Sequence, residues 1–224
     1  MNPMIRPILA CRRRLLTAAL MLALSACSLQ QQNPRIAIYD FGPGPLSASA
    51  VNPSGQLPAL LLDVLDAPAA LDSTAVLYRL AYADSQQLRP YGLARWSMTP
   101  AQLLRQRLRQ HLGQQRALLT PGDSVELTAG QPLRLQIELE EFSQLFESPE
   151  KSSGLLRLRA TLSRPGPKGG QWLAQRGVVV RRSADSADAA AGVRALTAAT
   201  DAAAQGLEQW LKEFAQQPGA SPQR

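Results

Sequence analysis

The chain has 224 residues with 24 Lys and Arg against 17 Asp and Glu, a formal net charge of +7. Four of the basic residues, Arg6, Arg12, Arg13 and Arg14, precede residue 27 and no acidic residue does, so residues 27–224 carry 20 against 17, a net of +3. That balance leaves no basic footprint for nucleic acid, and the two cysteines, Cys11 and Cys27, exclude a disulfide-stapled scaffold.

The first element is not part of the fold. Arg12, Arg13 and Arg14 precede the apolar run Leu15 to Leu24. A basic start, a short apolar stretch and small residues behind it make a secretory signal peptide; a bilayer-spanning helix needs roughly twenty apolar residues. Leu24, Ser25, Ala26 and Cys27 resemble a bacterial lipobox. That resemblance implies cleavage before Cys27, a diacylglycerol on its sulfur and an acyl chain on its new amine, because one chain alone binds a membrane only marginally. Residues 1–26 are then removed and 198 remain, enough for one domain with a sizeable core. Ser28, where an Asp marks inner-membrane retention in enteric-type sorting, points by analogy to the outer membrane. Residues 27–34 read as a lipidated tether, in which Ser28 to Pro34 spans roughly 25 Å when extended. Residues 35–215 form the domain, and 216–224 read as a disordered tail.

Ile36 to Phe41 alternates as a first strand, and Gly42-Pro43-Gly44-Pro45 stops it. The glycines lack the Gly-Lys-Ser/Thr ending of a phosphate loop, so a plain loop is expected. Leu60 to Asp66 is apolar on both faces, as in a strand covered on both sides or partly by a helix. Val76 to Tyr82 and Leu88 to Tyr91 read as two further strands about a turn at Asp84-Ser85. Thr99, Pro100 and Gln102 form a helix start with a capping box, and Met98 and Leu103 a flanking staple. Leu104, Leu108, His111 and Leu112 make the inner stripe of that helix, Gly113 stops it, and Arg105, Gln106, Arg107 and Arg109 are expected on a solvated face. Acidic lipid headgroups or a partner protein are the sharper use of that face.

From Leu133 the period becomes two. Leu133, Leu135, Ile137 and Leu139 face inward, with Glu138 and Glu140 outward; Leu156, Leu158, Ala160 and Leu162 face inward, with Arg157 and Arg159 outward. Antiparallel pairing sets the carboxylates against the guanidinium groups. Gln171 to Arg181 adds a third strand across a turn at Pro165 to Gly170, and an Ala-rich helix runs from about Asp185 to Ala215. The order predicts one α+β domain: a single mostly antiparallel sheet with two helices packed on it.

No set of acid, base and nucleophile converges in the sequence. The lone His111 lacks partners for a metal site and reads as structural. Glu138 and Glu140 could mimic a glycosidase pair, but a charge ladder explains them. No cofactor or metal is expected and no enzymatic activity. Phe142 and Phe146 fall where the alternation breaks, in the Glu140 to Gly154 connection, and are the candidates for an exposed partner-facing or membrane-facing loop; core filling is the competing use.

Tyr39-Asp40-Phe41-Gly42-Pro43, Ala67-Pro68, Leu77-Tyr78-Arg79, Tyr91, Trp96 with Pro100 and Leu103-Leu104, the strand through Phe142 and Trp210-Leu211, behind a lipobox and tether, together resemble the ABC-type transport auxiliary lipoproteins of the PqiC-like group. Phe41, where a Leu is commoner, and Ser97-Met98 depart from the pattern. The resemblance implies an outer-membrane lipoprotein facing the periplasm and working with an ABC permease and ATPase and a mammalian-cell-entry (MCE) domain protein in moving lipid between membranes. It allows assembly into a homo-oligomeric ring. Two other classes fit the same sequence: a periplasmic lipid-binding carrier, and a structural lipoprotein of envelope assembly.

Overall fold

The computed structural model describes residues 35–44, 57–65, 67–120, 132–166 and 170–216. The signal segment, Cys27, the tether, residues 167–169 of the expected turn and residues 217–224 of the expected tail lie outside them. The unit described begins at Ile36.

Its strands are β1 (Ala37–Tyr39), β2 (Leu60–Leu65), β3 (Ala75–Leu80), β4 (Asp84–Trp96), β5 (Leu118–Leu119), β6 (Leu133–Phe146), β7 (Ser152–Arg164) and β8 (Gln171–Ser183). The helices are α1 (Pro100–Leu112) and α2 (Ala189–Gln216). This is the expected α+β fold, one open, mostly antiparallel sheet carrying two helices. Strand β6 joins the parts. Its first half pairs parallel with β2, its last three residues pair parallel with β3, and β7 runs antiparallel along its other side. Beyond β3 come β4 and then β1, which pairs parallel with β4 and forms one edge; β5, paired parallel with β2, ends the sheet beyond β2, and β8 ends it beyond β7. Helix α2 lies on β6, β7 and β8, and α1 lies on β2 and against α2. Among the described residues, no helix lies on the other side of β6, β7 and β8.

The two strands expected about Asp84-Ser85 turn instead at Ala81 to Ala83, and the second runs on through Pro90 and Gly92 to Trp96. Pro90 is tolerated because β1 pairs only residues 94–96 of β4, so the missing N–H falls where that side has no neighbour. Strand β5 and the parallel pairings were not legible in the sequence.

Both helices are fixed at their starts. In α1 the Thr99 N–H donates to Gln102 Oε1 at 3.0 Å, one half of the expected capping box. Leu103, Leu104, Leu108 and Leu112 bury its inner stripe. In α2 the cap is Asp188, and the helix begins at Ala189, four residues later than Asp185 suggested. Asp188 Oδ1 accepts from the Ala191 N–H at 2.8 Å and Oδ2 from the Ser186 hydroxyl at 2.6 Å. The Ser186 bond first, then the Ala191 bond, holds the Asp188 carboxyl below its ordinary range.

Small residues let α2 sit directly on the sheet. A Cβ on Gly154 of β7 would stand 2.6 Å from the Ala195 carbonyl carbon and the Leu196 nitrogen, and one on Gly192 would collide with Gln144 Oε1. Gln144 is buried beneath the helix, where Oε1 accepts from Tyr91 Oη at 2.8 Å and Nε2 donates to Ser152 Oγ at 2.7 Å. Burial, aided by the fields of Tyr78 and Asp188, pushes the Tyr91 phenol well up. One network therefore ties β4, β6 and the start of β7 under one turn of α2.

Gly154→Ala forces α2 off the sheet and is expected to cost about 1–3 kcal/mol in urea unfolding. Gly206→Ala in the same helix meets open space and is expected to gain about 0.5–1 kcal/mol. Asp188→Ala is expected to cost about 1 kcal/mol at neutral pH. Because the folded carboxyl titrates below its unfolded value, that contribution is present above the ordinary carboxylate range and lost as pH falls. The gap between wild type and variant should therefore narrow in pH-dependent melts as pH falls below the ordinary carboxylate range.

Candidate functional site

Between Leu139 and Phe142 strand β6 advances three residues while β7 advances two, from Leu158 to Leu156. Glu140 is the extra residue of a β-bulge, and it shifts the phase of the strand by one. Leu139 and Phe142 therefore both face the helices, and Glu141 and Ser143 face away. The expectation that Phe142 and Phe146 stand on an exposed loop is corrected by this geometry. Both lie in β6, 1% and 7% exposed. The Phe142 ring packs 5.6 Å from Trp96 and 6.1 Å from Phe41, and Phe146 lies edge-on to Tyr78 at 5.9 Å. Their surface is spent within the fold and offers nothing to a partner.

Where the alternation breaks, the side chain with a consequence is Glu141. Arg79 grips it with two bonds, Nε to Oε1 at 3.0 Å and Nη2 to Oε2 at 2.9 Å. The Ser143 hydroxyl donates to Oε1 at 2.5 Å, and Arg79 Nη1 donates to the carbonyls of Gln86 at 3.0 Å and Ser85 at 3.3 Å. This clamp joins β3, β6 and the start of β4.

Ahead of the bulge the helix-free face is open. Arg159 Nη2 meets Glu140 Oε1 at 2.8 Å, Arg157 Nε meets Glu140 Oε2 at 3.4 Å, and Arg159 Nε reaches Glu138 at 3.9 Å. This is the expected ladder, and it occupies both carboxylates that resembled a glycosidase pair. On β8 the Gln175 amide donates to Thr161 Oγ1 at 2.8 Å. Val179, beside Arg157, and Trp172, beside Ser163, stand out at this edge, Trp172 65% exposed. Reading Gln171 to Arg181 as a third strand assigns Trp172 to no particular face, because alternation counts faces only once the pairing is known.

Arg107 was expected on the solvated face of α1 and is instead buried. It stands three and four residues from Leu104 and Leu103, within the apolar stripe, and that spacing was the available signal. Its Nη2 donates to the Phe41 carbonyl and its guanidinium lies 5.7 Å over the Phe41 ring. Nε lies 3.1 Å from Asp201 Oδ1 on α2, which His111 Nε2 approaches at 3.4 Å. His111 thus serves the α1–α2 contact. Arg116 is also buried, and burial lowers its guanidinium while Glu208 on α2 partly offsets the shift.

A cavity of about 120 Å³ between Phe41, Gly42, Met98 and Arg107 is smaller than the ~300–1,000 Å³ of ordinary ligand sites. A depression of about 550 Å³ along Gln102, Arg105, Gln106 and Arg109 is open to solvent. Among the described residues there is no cluster of three or more His, Cys, Asp or Glu that could hold a metal, and no helix long and apolar enough to cross a membrane.

These features define a single-sheet, two-helix domain that displays its polar chemistry on a surface. Residues 39–207 match the ABC-type transport auxiliary lipoprotein component family, and the chain belongs to it. A crystal structure of a Xanthomonas campestris protein shares the fold at a TM-score of 0.59 and 20% identity, over 78% of this chain and 94% of that one. A second crystal structure, of an uncharacterised protein, does so at 0.57 and 13%, over 79% and 99%. Comparison with curated proteins gives no match.

Glu141→Ala leaves the Arg79 guanidinium part-buried without its carboxylate and is expected to cost about 3 kcal/mol in urea unfolding. Glu138→Ala, on the open ladder, should change stability by no more than about 0.5 kcal/mol.

Proposed function

We propose that this protein is a lipid-anchored periplasmic subunit of an MCE-type intermembrane lipid transport system, held at the outer membrane through Cys27, that acts by docking and catalyses no reaction. The match of residues 39–207 to the transport auxiliary family carries this reading. The lipobox before Cys27 supplies the attachment, and Ser28 favours the outer membrane. The docking surface is the open face of β6, β7 and β8. It combines a paired charge ladder, which confers directional recognition, with an exposed Trp172, the residue type that most often anchors an interface. The partners are the MCE-domain protein of an ABC permease and ATPase system. A homo-oligomeric ring is part of the proposal, supported by the sheet ends at β5 and β8, which are separate from β1.

The test is capture of the tagged MCE-domain protein by the full-length lipoprotein in detergent, at micromolar concentration. Association is expected, and Trp172→Ala should weaken it about tenfold or more while leaving the melting temperature unchanged. Absence of association in both detergent and lipid would sink the reading. Fatty-acid labelling that persists in Cys27→Ala would remove the anchor from it.

A further inference from the structure

Six large hydrophobic side chains stand exposed among the described residues, and three of them gather at one sheet edge: Ile38 at 72%, Ile36 at 55% and Leu93 at 49%. Parallel register sets Ile38 beside Arg95, so one period earlier Ile36 falls beside Leu93, all on the helix-free face. Ala94, between them, is buried on the other face. A bare β-branched edge strand invites unwanted pairing unless something covers it.

Chain connectivity and charge say what does. Strand β1 is the first described strand after Cys27, and the seven residues Ser28 to Pro34 can span at most roughly 25 Å. The stretches 36–39 and 88–96 contain Arg89 and Arg95 and no acidic residue, and the adjacent Asp40 has its Oδ1 bonded to the Gly42 N–H at 2.8 Å. Val179 and Trp172 lie on β8, at the far edge of the sheet from β1 and its tether.

We propose that Ile36, Ile38 and Leu93 rest against the lipid bilayer that holds the Cys27 anchor, with the neighbouring arginines meeting headgroup phosphates. The proposal rests on the anchored reading given above. A tether alone leaves the domain free to swivel; a second, apolar contact fixes which way its open face looks.

The test uses the mature lipidated protein in vesicles of phosphatidylethanolamine and phosphatidylglycerol, with a nitroxide on Ile38→Cys. With Cys11 removed and Cys27 acylated, that thiol is the one available for labelling. Access of an aqueous nickel chelate to the label at 38 is expected to be about tenfold below that of a label on Gln175→Cys, with oxygen access raised. Equal nickel access at both positions overturns the proposal. So does protection that appears without vesicles and rises with protein concentration, which would assign the edge to a second copy. Flotation of wild type against Cys27→Ala is measured in parallel. If the wild type fails to float, the anchored reading fails and this proposal with it; if it floats and residue 38 stays wet, only this proposal fails.

Discussion

Strand β6 has neighbours on both sides, and the bulge at Glu140 is the constraint to which the other elements are fitted. A shift of one residue moves every following side chain to the opposite face. Without the extra residue, Glu141, Ser143 and Leu145 would point into the helices, and Phe142, Gln144 and Phe146 would point away from them. With it, Phe142 completes an aromatic cluster with Phe41 and Trp96, and Gln144 arrives under Gly192. The same shift delivers Glu141 to Arg79. A carboxylate facing the core would lose its solvation with no cation to replace it, so the bulge and the clamp stabilise each other.

Close packing of α2 depends on that phase. The helix approaches over Gly154 and meets Gln144 at Gly192, so its height above the sheet is set by absent side chains. The buried amide then ranks the possible registers. Tyr91 Oη and Ser152 Oγ both bond to Gln144, and a slip of either strand would leave buried polar atoms unpaired. Apolar area favours collapse in many registers; this network favours one.

How much of this the sequence disclosed follows from range. Period two over Leu133 to Leu139 and Leu156 to Leu162, the Thr99 to Gln102 start and the Ala-rich stripe of α2 are local signals, and they found their elements. The inward and outward sets of β6 were legible until Glu140. Beyond it the pattern continued in the other phase, and the break looked like a connection because a bulge and a loop leave the same gap in alternation. Arg107 was misplaced for a different reason. Its charge argued for solvent, and its partners Phe41 and Asp201 lie 66 and 94 residues away in the chain. The parallel neighbours of β6 and the tiny β5 are likewise long-range facts.

The open face gains its meaning from rigidity. Edge β1 and ladder strand β7 belong to one hydrogen-bonded sheet, four strand steps apart, which at ~4.8 Å a step is roughly 20 Å. The apolar, arginine-flanked edge and the paired charges thus lie on the same side of one sheet, at a separation the backbone hydrogen bonds fix. A tethered adaptor must present a partner-facing surface at a set height and angle to its membrane. A flexible leash cannot set an angle, whereas two surfaces on one sheet can, provided one of them touches the bilayer. On this account the bulge reaches beyond the core: by taking Glu141 into the Arg79 clamp and leaving Glu140 to Arg157 and Arg159, it marks where the open ladder stops and the closed part of that face begins.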